Sequence, residues 1–213
     1  MPNEPILRPV MPEVDSIRGL AILGVLFYHG FYWGNDLGAF PLWQRRISTL
    51  MWCGRLGVNL FFVLSGFLIT GLLLDSCERP DYYKRFYIRQ AKRILPAYAM
   101  ILIILALLRY PPTFLALSAV YLSNLTPIVG VAIAYPVLWS LAVEEHFYFA
   151  WPAAVRQLSR KSLLALCIFI VMATPILRFI SFHAARGFEF NDYTWNSADG
   201  LACGAIAAVL LRM

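Results

Sequence analysis

The chain is 213 residues long, 60% of them apolar and only 14% charged, with a mean hydropathy of +0.66. A soluble domain carries about a quarter charged residues, so the composition excludes one and points to an all-α membrane protein, a polytopic helix bundle with six or seven apolar segments. The net charge of +6 sits between those segments and not on one face. It reads as cytoplasmic loop charge, and nucleic acid is not an expected partner.

The first segment, residues 15–33 (DSIRGLAILGVLFYHGFYW), places Arg18 and His29 in a run otherwise fit to cross a membrane. Eleven positions separate them, which on a helix is three turns plus roughly 20° and about 16 Å of rise, so both fall on nearly one stripe. An ionisable side chain inside such a run costs several kcal/mol unless it faces protein or a wet cavity. Arg18, close to the start, also suits a plain headgroup anchor, and His29, toward the far end, also suits the interface. No small-x-small cleavage site follows the run, so the first helix is expected to stay uncleaved.

Residues 35–55 read as a mixed polar and aromatic loop with Trp43 and Trp52. Residues 56–74 are an uncharged second span whose Ser65, Gly66 and Gly71 let neighbouring helices approach closely. The most charged stretch, residues 75–93, faces the cytoplasm by the positive-inside rule, which puts the N-terminus inside. At its end Arg89 and Arg93 are four apart and share a face, a pair suited either to phosphate or to anchoring. Residues 94–108 are the third span, with Pro96 expected in its first turn. From 110 to 143 there is no charge, but Pro111, Pro112, Pro127, Gly130 and Pro136 interrupt the run. A full crossing by residues 113–133 would put Arg156, Arg160 and Lys161 outside, whereas a re-entrant element keeps them inside; the second is expected.

Residues 139–155 (WSLAVEEHFYFAWPAAV) set Glu144, Glu145 and His146 among aromatics. Consecutive helical residues point about 100° apart, so at most two of the three face any one cavity. Two adjacent carboxylates in a low-dielectric site repel, and one is expected to hold a proton, as an acid/base or histidine-orienting group needs. An interfacial acidic pair is the plainer alternative. Residues 163–177 form another span, 178–197 a polar loop, and 201–211 the last apolar run. Cys53, Cys77, Cys167 and Cys203 have no metal-ligand spacing and read as small hydrophobes, so no metal site is expected.

These stretches together resemble the family 3 membrane acyltransferases, the O-antigen and exopolysaccharide acetylase group. DSIRGLA with His29 looks like the family's arginine and histidine separated by ten residues. NLFFVLSGFLIT at 59–70 resembles its second-helix block, FYIRQAKRILPAY at 86–98 its basic third-helix start, and WSLAVEEHFY at 139–148 its acidic block. The late Arg-to-Asp-Gly-Leu element is suggested by DGLACG at 199–204. The resemblance implies an enzyme of the inner membrane that takes an acyl group, commonly acetyl, from acyl-CoA on the cytoplasmic side. Its partners would be a carbohydrate or lipid-linked glycan acceptor, acylated on a hydroxyl, and membrane lipid. His29 would be the essential histidine with Arg18 its companion, Glu144 and Glu145 would belong to the catalytic set, and Arg89 and Arg93 would hold the phosphates of coenzyme A. Gln90 stands where relatives often carry the second of two arginines, with Lys92 as the substitute charge. The family's domain has more spans than this chain offers, so residues 1–213 are expected to be its N-terminal part. A transporter or flippase, for which buried ionisable groups and proline-broken helices are equally natural, is the alternative; an inactive remnant is a third.

Overall fold

The computed structural model describes residues 12–29, 41–184 and 193–213. Residues 30–33 of the first segment, 35–40 of the following loop and 185–192 of the polar loop lie outside them. Eight α-helices run in chain order among the described residues: α1 Pro12–Phe27, α2 Leu42–Met51, α3 Leu56–Asp75, α4 Tyr82–Leu107, α5 Pro112–Ala119, α6 Leu138–Gln157, α7 Arg160–Ala184 and α8 Thr194–Leu210. Three runs are long and apolar enough to cross a membrane: Leu42–Asp75, in which α2, a 3-10 turn at Trp52–Arg55 and α3 follow one another, Tyr82–Leu107, and Arg160–His183.

Three expectations change, and the interrupted course expected of residues 113–133 is seen. Residues 42–51, read as loop, are helical, because the polar Gln44, Arg45 and Arg46 interrupt hydropathy without breaking helix propensity. α4 begins at Tyr82, so Pro96 lies inside it and not in its first turn; charge at the start of a helix blurs its apolar boundary without ending the helix. α7 continues to Ala184 and α8 starts at Thr194, so much of the expected 178–197 loop is helix. Residues 113–133 form no continuous helix: α5 has eight residues and is followed by a 3-10 stretch at Ser123–Val129. Eight residues rise about 12 Å, far short of a bilayer core. Irregular backbone at membrane depth must be covered by protein, and Ser123, Asn124 and Thr126 are buried.

α3 is the axis of the bundle. Gly66 meets the backbone of Leu201 and Gly204 meets that of Val63 so closely that a Cβ at either glycine would overlap a carbonyl oxygen. At the end of the pair, Arg212 donates from Nε and NH2 to the two carboxylate oxygens of Asp75, at 2.7 and 2.8 Å. Since 63–66 pairs with 201–204 and 75 with 212, α3 and α8 run parallel. α6 is parallel to them as well: Trp139 packs on Phe62 and Trp151 Nε1 donates to Thr70 Oγ1 at 2.8 Å. α1 runs the opposite way, with Arg18 over Phe61, Ala21 against Gly57 and Gly24 against Gly54. α7 is antiparallel to α8, tied by Arg178, which donates to Asn196 O at 2.6 Å and to Asp199 Oδ1 at 2.8 Å.

These directions collect the charged loop after α3 and the end of α6 at one end. Tyr82 OH donates to Pro152 O at 3.0 Å, and the Arg156 guanidinium lies 5.1 Å from the Tyr82 and Tyr83 rings. Arg156 therefore shares an end with Lys84 and Arg85, the arrangement expected if residues 113–133 do not cross.

Candidate active site

The three polar neighbours on α6 point three ways, as their 100° spacing requires. Glu144 is 3% exposed and accepts a hydrogen bond from Tyr148 OH one turn later. Ser65 of α3 lies beside that hydroxyl without a well-formed bond of its own. Glu145 faces α4 and the segment after α5: Tyr98, Tyr121 and Arg93 lie within charge reach of it. Its Oε1 is buried and has no hydrogen-bond partner. Leaving a buried acceptor unmade costs about 1–3 kcal/mol, and more for a charged one, so such a group marks chemistry or a missing ligand more readily than stability.

His146 takes the third direction. Its Nδ1 is 2.7 Å from Thr194 Oγ1 at the start of α8, and Asn124 Nδ2 donates to the same Thr194 oxygen at 2.9 Å. The ring also lies near the backbone of Tyr121. Tyr121 sits just past the end of α5 with φ 59°, where a helix cap favours glycine. A tyrosine there costs roughly 1 kcal/mol or more of backbone strain. It is held by its own backbone bond to Ser118 O and by stacking on Tyr98, centroids 4.7 Å apart.

On α4, Arg85, Arg89 and Arg93 succeed one another at intervals of four and feel one another's charge. They form an exposed ladder from the charged end up to Glu145. Lys92 is exposed one position earlier, about 100° away. The residue of this stretch that turns inward is Gln90, 5% exposed, with its Nε2 unbonded.

Arg18 and His29 are both half-buried. The Arg18 guanidinium lies 5.0 Å from the centroid of Phe61, and His29 Nδ1 is 2.9 Å from Val25 O. A carbonyl only accepts, so in the neutral ring Nδ1 carries the proton and Nε2 the lone pair a base needs. α1 closes in a wider π-type turn at residues 28–29, which displaces His29 from an ideal stripe. Through the contact of Tyr28 with Gly54, His29 is at the end of α3 opposite Asp75. Ser65, which marks the depth of the carboxylates, is eleven residues along α3 from Gly54, or on the order of 15 Å. The structure thus gathers Glu144, Glu145 and Arg93 in one region, leaves His29 at the far end of α3, and sets Arg18, over Phe61, between the two in depth.

Sequence reasoning did not single out Thr194 and Asn124. The available signal was His146 itself, a polar residue amid aromatics, but its partner is 48 positions away.

The fold and site define an all-α membrane protein with ionisable and hydroxyl groups held inside its bundle. The chain belongs to a family of acyltransferases: the family model described as an acyltransferase domain (Acyl_transf_3) matches residues 11–210. Among similar curated proteins, the peptidoglycan O-acetyltransferase OatA of Listeria monocytogenes is 34% identical over a match covering 68% of this chain and 24% of that protein. The putative peptidoglycan O-acetyltransferase YrhL of Bacillus subtilis is 31% identical, covering 76% and 28%. A putative O-acetyltransferase of Staphylococcus aureus is 32% identical, covering 67% and 24%. The chain thus spans about a quarter of the length of these relatives. No solved structure matches.

Proposed function

We propose that the chain handles donor and acceptor in an acyltransferase that moves an acyl group, acetyl in the first instance, from a coenzyme A thioester to a hydroxyl of a cell-surface carbohydrate. The observation that carries this is the arginine ladder of α4 ending at Glu145, whose buried oxygen lacks a donor. Guanidiniums match phosphate in geometry and charge. Arg89 and Arg93 hold the donor's phosphates, with Lys92 adding charge near them. The charged end is the cytoplasmic one, because it unites the basic stretch 79–93 with Arg156, Arg160 and Lys161. Glu145 acts as the acid that supplies a proton to the departing thiolate. At the opposite end His29 takes the acceptor's hydroxyl proton, and Arg18 stands on its helix as a fixed positive charge. The acceptor class follows the relatives, whose names carry peptidoglycan O-acetylation.

The test is acetyl transfer by the purified 213-residue chain in lipid nanodiscs, with acetyl-CoA as donor and a soluble peptidoglycan fragment as acceptor. His29→Ala is expected to lower transfer by roughly a hundredfold or more, the usual loss of a general base, with coenzyme A binding unchanged. Arg93→Ala is expected to raise the donor KM, less so at high salt because screening weakens charge pairing. Near-normal transfer by His29→Ala would remove the base assignment. An unchanged donor KM in Arg89→Ala, Arg93→Ala and the double variant would reduce the ladder to a membrane anchor.

A further inference from the structure

One arrangement is not used by this scheme: the hydroxyl of Thr194 between His146 and Asn124. A side-chain nucleophile is recognised by a base within hydrogen-bond reach and a third group that orients the base. Thr194 Oγ1 is 2.7 Å from His146 Nδ1. A neutral imidazole accepting at Nδ1 carries its proton on Nε2, the form in which His146 serves as the base for the Thr194 hydroxyl. Asn124, fully buried, donates to the same Thr194 oxygen at 2.9 Å, a contact that strengthens as negative charge develops there. Tyr121, whose backbone lies near His146, is held in the left-handed conformation, and strain of this kind collects where geometry serves function. Thr194 itself is half-buried and so within reach of a ligand.

Its position gives the hydroxyl a task. Gly200 lies against Phe62, and Thr194 is six residues earlier on a helix parallel to α3, about 9 Å further from the charged end. It therefore lies on the His29 side of the charged end, and its 2.7 Å bond to His146, the residue after Glu145, keeps it within one side chain's reach of the depth of Glu145. A donor held by its phosphates on the α4 ladder and an acceptor at His29 are separated by the interior of the bundle, and Thr194 lies between them in depth.

We propose that Thr194 carries the acyl group between donor and acceptor as an ester on Oγ1. This rests on the acyltransferase reading above. In the first half-reaction Thr194 Oγ1 attacks the thioester carbonyl while His146 takes the hydroxyl proton; the carbon–sulfur bond breaks and the thiolate leaves with the proton of Glu145. In the second, the acceptor hydroxyl gives its proton to His29 and attacks the ester carbonyl. The bond to Thr194 Oγ1 breaks, and His146 returns its proton to that oxygen. His29 then loses a proton to water and Glu145 regains one from it, so the acceptor proton is balanced by the one carried off on the thiol.

The experiment uses the full chain in nanodiscs with acetyl-CoA labelled in the acetyl group, without acceptor, quenched in acid and digested for mass spectrometry. The expected result is one acetyl group on the peptide containing Thr194, discharged when a peptidoglycan fragment is added before the quench. Thr194→Val should lose both the label and at least a hundredfold in transfer, a loss of the size that removing a reacting group brings. Thr194→Ser, which keeps the hydroxyl, should keep both, and His146→Gln should load the label far more slowly. Coenzyme A binding measured on each variant tells lost chemistry from lost fold. Transfer by Thr194→Val at the parent rate overturns the ester and leaves the acyltransferase reading standing. Label on another residue with Thr194 unmodified overturns it too. Absence of both thioester cleavage and transfer in the parent chain overturns the acyltransferase reading and the ester with it.

Discussion

α1 and α8 both lie along α3, and both reach it through glycine, yet they are held very differently. α8 is gripped along its length: Gly204 and Leu201 meet α3 backbone, Arg178 of α7 ties down Asn196 and Asp199, and Arg212 closes on Asp75. α1 touches α3 through Arg18, Ala21 and Val25 and the 3-10 turn before it through Gly24 and Tyr28, while Ile17, Leu20, Ile22, Leu23 and Leu26 remain exposed. In a membrane those exposed side chains face lipid or further protein, and neither supplies a hydrophobic force between helices comparable to that in water. Close van der Waals contact and polar ties then decide how firmly a helix is fixed. By that measure α8 is part of the frame and α1 is applied to its surface.

The largest effect that tests this contrast should come from Arg212. Its side chain is 3% exposed against 21% for Asp75, and removing one partner of a buried pair leaves the other charge uncompensated. Arg212→Ala is expected to cost about 3 kcal/mol, at the low end for buried pairs because Asp75 keeps some access to solvent. Denaturant unfolding in micelles measures it. Asp75→Asn combined with Arg212→Gln should recover a good part of the loss, since no lone charge remains. A loss under about 1 kcal/mol, typical of exposed pairs, would mean that the end of α8 is not anchored there.

Paired glycine substitutions sharpen the comparison at a smaller scale. A Cβ at Gly204 would overlap Val63 O and one at Gly57 would overlap Ala21 O, so each substitution forces a helix to move. Overpacking costs about 1–3 kcal/mol. Gly204→Ala should fall at the upper end because α8 is tied on two sides, and Gly57→Ala at the lower end because α1 has little else to disturb. The same unfolding assay checks both, and equal losses would show α1 to be as constrained as α8.

The contrast also explains what the sequence made legible. Arg18 and His29 stood out because they are polar in an apolar run, and the surroundings that make α1 a peripheral helix supply that background. Glu144, Glu145 and the Arg89–Arg93 spacing were visible for the same reason, as charge where charge is costly or repeated at helical intervals. The helical character and the acyltransferase family were readable too, and the family match extends over residues 11–210. Thr194 was not readable: a threonine beside Tyr193, Trp195 and Asn196 resembles any loop residue, and only the placing of α8 against α6 gives it a histidine. The parallel course of α3 and α8 is likewise a tertiary fact, with 137 positions between Asp75 and Arg212. The extent of α4 was misjudged because hydropathy locates the apolar part of a helix and not its charged overhang.

The smallest expected effect concerns Arg18, and it separates stability from catalysis. The guanidinium is 5.0 Å from the Phe61 ring centroid, a contact worth about 0.5–1 kcal/mol at a partly exposed site. Arg18→Gln should therefore lower stability by no more than that, since α1 keeps its glycine contacts with Gly54 and Gly57. If Arg18 only fastens α1 to α3, acetyl transfer should fall by no more than the few-fold that such an energy represents. If its charge assists His29, transfer should fall well beyond that while unfolding barely changes. Arg18→Lys divides the two further: a lysine keeps the positive charge but loses the planar face that stacks on an aromatic ring. Recovery of transfer in Arg18→Lys without recovery of stability would assign the residue to the reaction. Recovery of stability alone would leave it as the polar tie of a loosely held helix.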